Sequence, residues 1–503
     1  MVLYHASTMY HLLYCIVHRL CFNSDKDCEL LLVEYIKPLK ERNAFLEKLK
    51  AYGFFGKIRY VPEQQFKLKK GIALDENSSE REIKTVINNI SSAFESWFGG
   101  DMKKYSEIYV ASDQHSCGIY LINNKISYTY MEDASGMLSE QSRYLSITKS
   151  NNRTNYIINE YLGCAGRNEC VKAKLCDLKH QQKGFHDEKA VDFSIYNTLK
   201  NIIPDKVPVL LEFFGNIRTV IRSSKKICLF LTQDLNTLKI KDLDLQELTT
   251  TTLVDYFCPD CKLIIKPHPK DRWQNYKRIF PNAVILEKSV PSELLPFAID
   301  GEIDTVLTAS STSIRGVSEF AKKAYSFTTE IETHRERIDS MFALTEVIKQ
   351  IGIKNSVAVC NINEEQMLNF LDNAGISANG NDIIVDGGIN KTEITDLESC
   401  RILFCLNLGN TLNYCKDYGC RDKFVIKAKF IPESDSLFEE KEHLIFAYSN
   451  DSLLSKKLSE INITRNLYHS KAEVEINCEK ITSELDEKIR AELLGETESE
   501  EIL

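Results

Sequence analysis

Three short segments bring together residues that can move a proton or hold a charge, and each follows an apolar run of strand length. The first is Tyr128-Thr129-Tyr130-Met131-Glu132-Asp133-Ala134-Ser135-Gly136. Alternation along a strand sends Glu132 and Asp133 in different directions, so one of them can face a substrate and take the proton of an attacking hydroxyl. Read alone, the same residues are also an acidic turn with a capping aspartate. The second is Leu263-Ile264-Ile265-Lys266-Pro267-His268-Pro269-Lys270-Asp271. Two prolines restrict the backbone around His268 and aim its imidazole, and with Lys266 and Lys270 the ring suits a departing phosphate. A rigid basic loop is the other reading. The third runs from Asp304 through Thr308-Ala309 into the hydroxyl residues Ser310, Ser311, Thr312 and Ser313. They stand before a helix expected over Ile314–Lys323, whose free N–H groups and dipole would favour an anion, although a plain N-cap has the same composition.

The elements that must position these segments follow from hydrophobic periodicity. Val2–Ala6, Glu29–Tyr35, Lys57–Val61, Glu107–Ala111, Gly118–Asn123 and Lys125–Met131 read as strands, with helices over Met9–Leu20, Lys37–Tyr52 and Ser79–Phe98. Residues 137–200 read as mainly helical and loop-rich. A second series of strands begins near Lys225, with Ile227–Leu231, Leu263–Lys266, Ala283–Leu286 and Thr305–Thr308. Strands alternating with helices predict an α/β protein with parallel sheets, and the stretch Pro204–Gly215 offers a break between two units. All three segments then end strands at the carboxyl edge, where ligands bind in open α/β sheets. Beyond Ile351, Ser356–Cys360, Asp382–Val385, Arg401–Cys405, Phe424–Phe430 and His443–Ala447 read as further strands, and the last ~30 residues as a helix running into an acidic tail.

Composition narrows the function classes. A chain of 503 residues with 43% hydrophobic and 27% charged residues is expected to form two or three soluble domains. The net charge of -9 argues against a general nucleic-acid binder. Sixteen scattered cysteines, several inside apolar runs, read as reduced thiols; the lone CxxC, Cys258 and Cys261, reads as a turn feeding a strand. No run is long and apolar enough to span a membrane, and the opening residues lack the basic region of a signal peptide. A cytoplasmic protein, with room for peripheral contact with the inner membrane, is the expectation. There is no GxGxxG or Walker loop, and the DxD formed by Asp242 and Asp244 lies in a charged, leucine-spaced surface helix. His5 and His11 fall near the end of the first strand and on the following helix, at a core or rim position or in reach of a cleft.

Taken in order, the acidic pair, His-Pro and Ser-Ser resemble the motifs of the bacterial sialyltransferases: an acidic-Asp-Gly triplet, His-Pro and Ser-Ser. The nearest group is that of lipooligosaccharide sialyltransferases and capsular polysialyltransferases. The stretch FPNAVILEKSVPSELLPF has the same look, and the resemblance covers about residues 1–345. It implies a GT-B fold, with two Rossmann-like domains facing across a cleft: residues 1–210 on the acceptor side and 211–350 for the nucleotide sugar. Residues 351–503 form an added α/β region with no counterpart in the family. It further implies Asp133 as general base, His268 as the group that stabilises the phosphate of the leaving CMP, and Ser310 and Ser311, with Thr312 beside them, as its hydrogen-bond donors. Glu132, Lys266 and Pro269 would support them. The implied reaction inverts the anomeric centre in one displacement from a CMP-sugar to a glycan or glycolipid acceptor of lipooligosaccharide or capsule type, without a metal or other cofactor.

One departure falls on the acidic motif, where Ala134 stands in place of the family's glycine. Were that position held at φ > 0, alanine would be strained, and Glu132 is then the alternative base. Transfer of another CMP- or CDP-linked group, such as Kdo or a polyol phosphate, and a non-catalytic role in glycan assembly remain the competing readings. The acidic balance favours addition of one or a few sugars over long polymerisation.

Overall fold

The computed structural model describes residues 1–68, 71–132, 149, 152–181, 184, 186–215, 221–238, 240–271, 274–311, 313–327, 331–352, 357–360, 364–376, 383–386, 401–405, 422–433 and 439–482. Asp133, Ala134, Gly136, Thr312 and the expected helical tail from residue 483 lie outside them. Contacts divide the chain into two compact units. One comprises Met1–Ser223 with Leu286–Ile303 and Thr312–Ala321; the other comprises Ser224–Ile285, Asp304–Ser311 and Lys322–Leu503.

The first unit is built on a parallel sheet of β1 (Val2–Ala6), β2 (Cys28–Val33), β3 (Lys57–Val61), β4 (Glu107–Ala111), β5 (Tyr128–Met131), β6 (Val171–Cys176) and β7 (Ala190–Asp192). Their order is β3-β2-β1-β4-β5-β6-β7. The first two strands are buried throughout, as a sheet covered on both faces requires. Val2, Tyr4 and Ala6 pack with the helix Met9–Phe22 and with Phe213 and Phe214. Leu3, Val110, Tyr128 and Tyr130 face the helices Glu80–Phe98 and Ser116–Asn123. Helix Glu80–Phe98 starts at a capping box of Ser79 and Glu82 and stops at Gly99, whose φ of 66° leaves the helix. The strand β8 (Ile221–Arg222) closes this stretch of chain.

The second unit opens with β9 (Ile227–Leu231), β10 (Lys262–Lys266) and β11 (Val284–Ile285), all parallel. The short β12 (Ile299–Asp300) pairs back onto β8, and the chain then returns as β13 (Ile303–Thr308) and β14 (Ala321–Ser326). The sheet order is β11-β10-β9-β13-β14. A further sheet of mixed direction holds β15 (Val357–Cys360), β16 (Ile383–Asp386), β17 (Ile402–Cys405), β18 (Asp422–Pro432), β19 (Lys441–Ser449), β20 (Asn462–Leu467) and β21 (Ala472–Lys480). One apolar core joins the two sheets, with Phe257, Phe327, Met341 and Leu344 contiguous with Phe404, Phe424, Ile426 and Ile445. The buried Asp255 carboxylate fastens the β20–β21 turn to this core by accepting the His469 and Ser470 N–H groups and the Ser470 hydroxyl, at 2.9, 2.8 and 2.7 Å.

The α/β class with parallel sheets agrees with the sequence, and several elements differ from it. Gly118–Asn123, read as a strand, is part of the helix Ser116–Asn123. Its apolar run is ambiguous by periodicity, and the remote Glu63 favours the helix by capping its start: the carboxylate accepts the Ser116 N–H at 3.0 Å and the hydroxyl at 2.5 Å. The stretch 137–200 holds β6 and β7, and Lys174 in β6 is buried through its ion pair with Asp187. The helix expected over Ile314–Lys323 is only Ile314–Val317, followed by a 3-10 turn and β14. Pro204–Gly215 is a turn and a helix that buries Leu210, Leu211, Phe213 and Phe214. Among the described residues, no helix is long and apolar enough to cross a membrane.

Gly118 packs where only a glycine fits, since a Cβ there would lie 2.2 Å from the Asp113 carbonyl oxygen. Gly118→Ala is expected to destabilise the first unit by about 3 kcal/mol. A urea midpoint within error of the wild type would show that this contact relaxes freely.

Candidate active site

Two groups of side chains stand at carboxyl edges of parallel sheets, one in each unit. In the second unit the register is decisive: Leu231 of β9 lies opposite Lys266 of β10 on one side and Thr308 of β13 on the other. His268 and Ser310 are therefore each two residues beyond the same row. Neighbouring strands are spaced by ~4.8 Å, so the two motifs leave the sheet roughly 10 Å apart, with Thr232 between them. Thr232 ties itself to the His-Pro side. Its N–H donates to the Lys266 carbonyl at 3.1 Å, and its Oγ accepts the His268 N–H at 2.9 Å and donates to Asp271 Oδ2 at 3.0 Å. Tyr276 also donates to that Asp271 oxygen.

The half-buried His268 ring has one defined contact: Nδ1 accepts the Lys270 N–H at 3.2 Å. With Nδ1 an acceptor, the proton of a neutral ring sits on Nε2, leaving an N–H donor for a ligand oxygen. The ring is held below the usual histidine range, chiefly by burial and also by Lys266 and Lys270, with Asp234 and Asp271 opposing. Lys266 is buried, with Nζ donating to the Pro267 carbonyl at 2.8 Å, while Pro269 is exposed.

Across β9, Thr308 plays the part that Thr232 plays on the other side. Its hydroxyl donates to the Leu231 carbonyl at 2.7 Å and accepts the Ser311 N–H at 3.0 Å. Ser310 and Ser311 are half-buried, and Thr312 lies outside the described residues. The Ser311 N–H is thus already engaged, and the helix that follows has four residues. What this turn offers a phosphate is its serine hydroxyls, not the expected helix dipole.

In the first unit Glu132 follows β5 and is buried. Its Oε2 accepts the Asp177 N–H at 3.2 Å. Burial pushes its carboxyl up to about 7, with the Asp177 and Glu293 charges adding, while the Asp177 N–H and a Tyr10 hydrogen bond pull the other way. Tyr10 comes from the first turn of helix Met9–Phe22, and Glu293 from the segment Ser292–Ala298. Asp133 lies outside the described residues.

The other sequence candidates resolve into structural roles. Asp242 caps the helix Leu243–Phe257 by accepting the Leu245 N–H at 2.9 Å. Cys258 and Cys261 flank the turn from that helix into β10, and both are free thiols. Among the described residues, no group of histidine, cysteine, aspartate and glutamate could hold a metal ion.

The model of glycosyltransferase family 52 matches residues 59–330, more than half of the chain and all of the segments above. The chain belongs to glycosyltransferase family 52. It is therefore a glycosyltransferase, an enzyme that moves a sugar from an activated donor to an acceptor. No curated protein sequence matches it. Among solved structures, the chain is similar to an α/β-galactoside α-2,3-sialyltransferase from Photobacterium phosphoreum, at 10% identity and a TM-score of 0.33 over 76% of this chain and 98% of that one. It is also similar to UDP-GlcNAc 2-epimerases from Neisseria meningitidis (12% identity, TM-score 0.37, 67% of this chain and 86% of that one) and Methanocaldococcus jannaschii (13%, 0.39, 67% and 87%). Likeness this distant says nothing about the reaction.

Sequence reasoning on this family 52 enzyme missed Thr232, Tyr10 and Asp177. Thr232 had a usable signal, since it ends an apolar strand two residues before the charged Asp234. Tyr10 and Asp177 had none, because only the sheet order brings them to Glu132.

Glu132 yields a testable pH dependence. Its proton is held more tightly in the folded state, about 7 against an ordinary 4.5. The resulting stabilisation is complete below pH 4.5 and lost as pH rises through 7, an effect of about 3 kcal/mol. Glu132→Gln, which stays neutral, should lose less thermal stability than the wild type between pH 4.5 and 8; parallel melting curves would contradict the assignment.

Proposed function

We propose that this family 52 enzyme transfers a sialic-acid-like sugar from a CMP donor to a glycan acceptor, inverting the anomeric centre without a metal. The observation that carries this reading is the common edge of β10, β9 and β13, from which His268 and the Ser310-Ser311 hydroxyls leave on either side of Thr232. Neutral donors there suit a phosphate whose charge grows as the sugar departs. The motifs and their order resemble those of the bacterial sialyltransferases, which supplies the CMP donor and the acceptors of lipooligosaccharide or capsule type.

In the proposed step, an acceptor hydroxyl attacks the anomeric carbon, a new C–O bond forms, and the bond from that carbon to the phosphate oxygen breaks with its electron pair going to CMP. His268 donates Nε2–H to the phosphate, and Ser310 and Ser311 add hydroxyl donors. Lys266 and Pro269 hold the backbone of that turn, and Thr312 stands beside the serines. The hydroxyl proton passes to the carboxylate pair at the end of β5. The resemblance assigns this role to Asp133; Glu132, raised to about 7, has a proton affinity matched to neutral pH and is the alternative. The enzyme would work in the cytoplasm against the inner membrane, where such acceptors are assembled.

The experiment is release of CMP from CMP-sialic acid with and without lactose. His268→Ala is expected to lower turnover by about 10²–10³; a loss below tenfold would leave the His-Pro turn as a rigid loop. Asp133→Asn should abolish transfer while sparing CMP binding, and unchanged turnover would move the base to Glu132. Activity with a CDP-polyol alone would overturn the sialyl donor.

A further inference from the structure

The carboxylate of Asp177 is used neither by the family motifs nor by the proposed step, yet it stands one strand away from Glu132. β5 and β6 are parallel neighbours with Met131 opposite Leu175, so Glu132 lies one residue beyond that row and Asp177 two. The Asp177 N–H reaches Glu132 Oε2 at 3.2 Å and fixes that oxygen in place.

Asp177 is itself only 4% exposed. Its Oδ1 accepts the Lys179 N–H at 3.1 Å and caps the 3-10 turn Leu178–His180. Its Oδ2 is buried and has no hydrogen-bond partner among the described residues. A carboxylate oxygen in that state is poorly solvated, and its charge acts on neighbouring groups with little screening.

The groups that face Glu132 from the surrounding elements are themselves acids. Tyr10 and Tyr14 come from helix Met9–Phe22, Cys176 from the end of β6, Tyr196 from the turn Ile195–Asn197 and Glu293 from Ser292–Ala298. Burial raises the three tyrosines well above their ordinary range and pushes the Cys176 thiol up to about 12, so all four stay neutral. The charges of Asp177 and Glu293 act on Glu132, and both oppose its ionisation. Asp177 is the stronger of the two, and it is the one bonded to Glu132. Like charges held in a poorly solvated place favour keeping one proton, and here that proton rests on Glu132.

We propose that Asp177 is a positioning residue for sugar transfer: its N–H orients Glu132, and its buried carboxylate sets the pH at which the end of β5 accepts a proton. Its part in the reaction rests on the proton-transfer step proposed above. Its hold on the Glu132 proton does not.

Two measurements separate these. In transfer from CMP-sialic acid to lactose, kcat/KM of the wild type should rise with pH through about 7, as Glu132 loses its proton. Asp177→Asn keeps the N–H and an oxygen for the Lys179 N–H but removes the charge, so the midpoint should fall by about one unit. Asp177→Glu, which keeps the charge, should lie closer to the wild type. A midpoint that Asp177→Asn leaves unmoved overturns the proposal, whatever the variant does to the overall rate. If the wild-type protein releases no CMP, the transfer reading fails, and the hold of Asp177 on Glu132 is judged by NMR. The Glu132 side-chain ¹³C carboxyl resonance, assigned by its disappearance in Glu132→Gln, should titrate near 7 in the wild type and lower in Asp177→Asn. A wild-type midpoint in the ordinary carboxylate range, or an equal midpoint in the variant, overturns that hold.

Discussion

The candidate phosphate site depends on two threonine hydroxyls that clamp the end of β9 to its neighbours. Thr232 Oγ accepts the His268 N–H, and Thr308 donates its hydroxyl to the Leu231 carbonyl while accepting the Ser311 N–H. Parallel pairing alone brings strand ends to one edge, but it leaves the turns beyond them undefined. Each threonine converts a loose turn into one with a fixed exit. The same arrangement orders the histidine, because a turn held by Thr232 lets Lys270 place its N–H on Nδ1 and leaves the ring proton on Nε2. Asp271, which takes the Thr232 and Tyr276 hydroxyls, completes the clamp from below.

The first unit works by burial more than by pairing. Glu132 sits at the end of an apolar strand with carboxylates and tyrosines for neighbours, and its proton affinity rises because the protein gives its charge little solvation. Glu63, equally buried, goes the opposite way because Ser116 and His115 supply donors to the charged form. Two carboxyls of one sheet edge, one raised and one lowered, illustrate how local donors decide which acid keeps its proton.

Much of this was legible in the sequence. Val2–Ala6, Lys57–Val61, Glu107–Ala111 and Ile227–Leu231 are strands with the boundaries that periodicity gives them, and the Ser79 capping box marks its helix start. The His-Pro and Ser-Ser segments do end strands. The failures have physical causes. Gly118–Asn123 is an apolar run that could pair in a sheet; it is helical, with its start capped by the remote Glu63 and Gly118 packed tightly on Asp113. β6 carries lysines at alternating positions, and Lys174 hides its charge against an aspartate thirteen residues away. β14 interrupts what looked like a continuing helix. Thr232, Asp177 and Glu63 acquire their roles from strand order and from partners distant in sequence, which no local pattern records.

We propose that the edge formed by β10, β9 and β13 binds the phosphate of a cytidine nucleotide. Calorimetric titration of the full-length protein with CMP and with cytidine tests it most directly, in the wild type and in a Ser310→Ala/Ser311→Ala variant. CMP is expected to bind the wild type more tightly than cytidine does, and the double substitution to remove at least tenfold of the CMP affinity while leaving cytidine binding unchanged. Equal affinities for CMP and cytidine in the wild type, or a variant that binds CMP as well as the wild type, would contradict it.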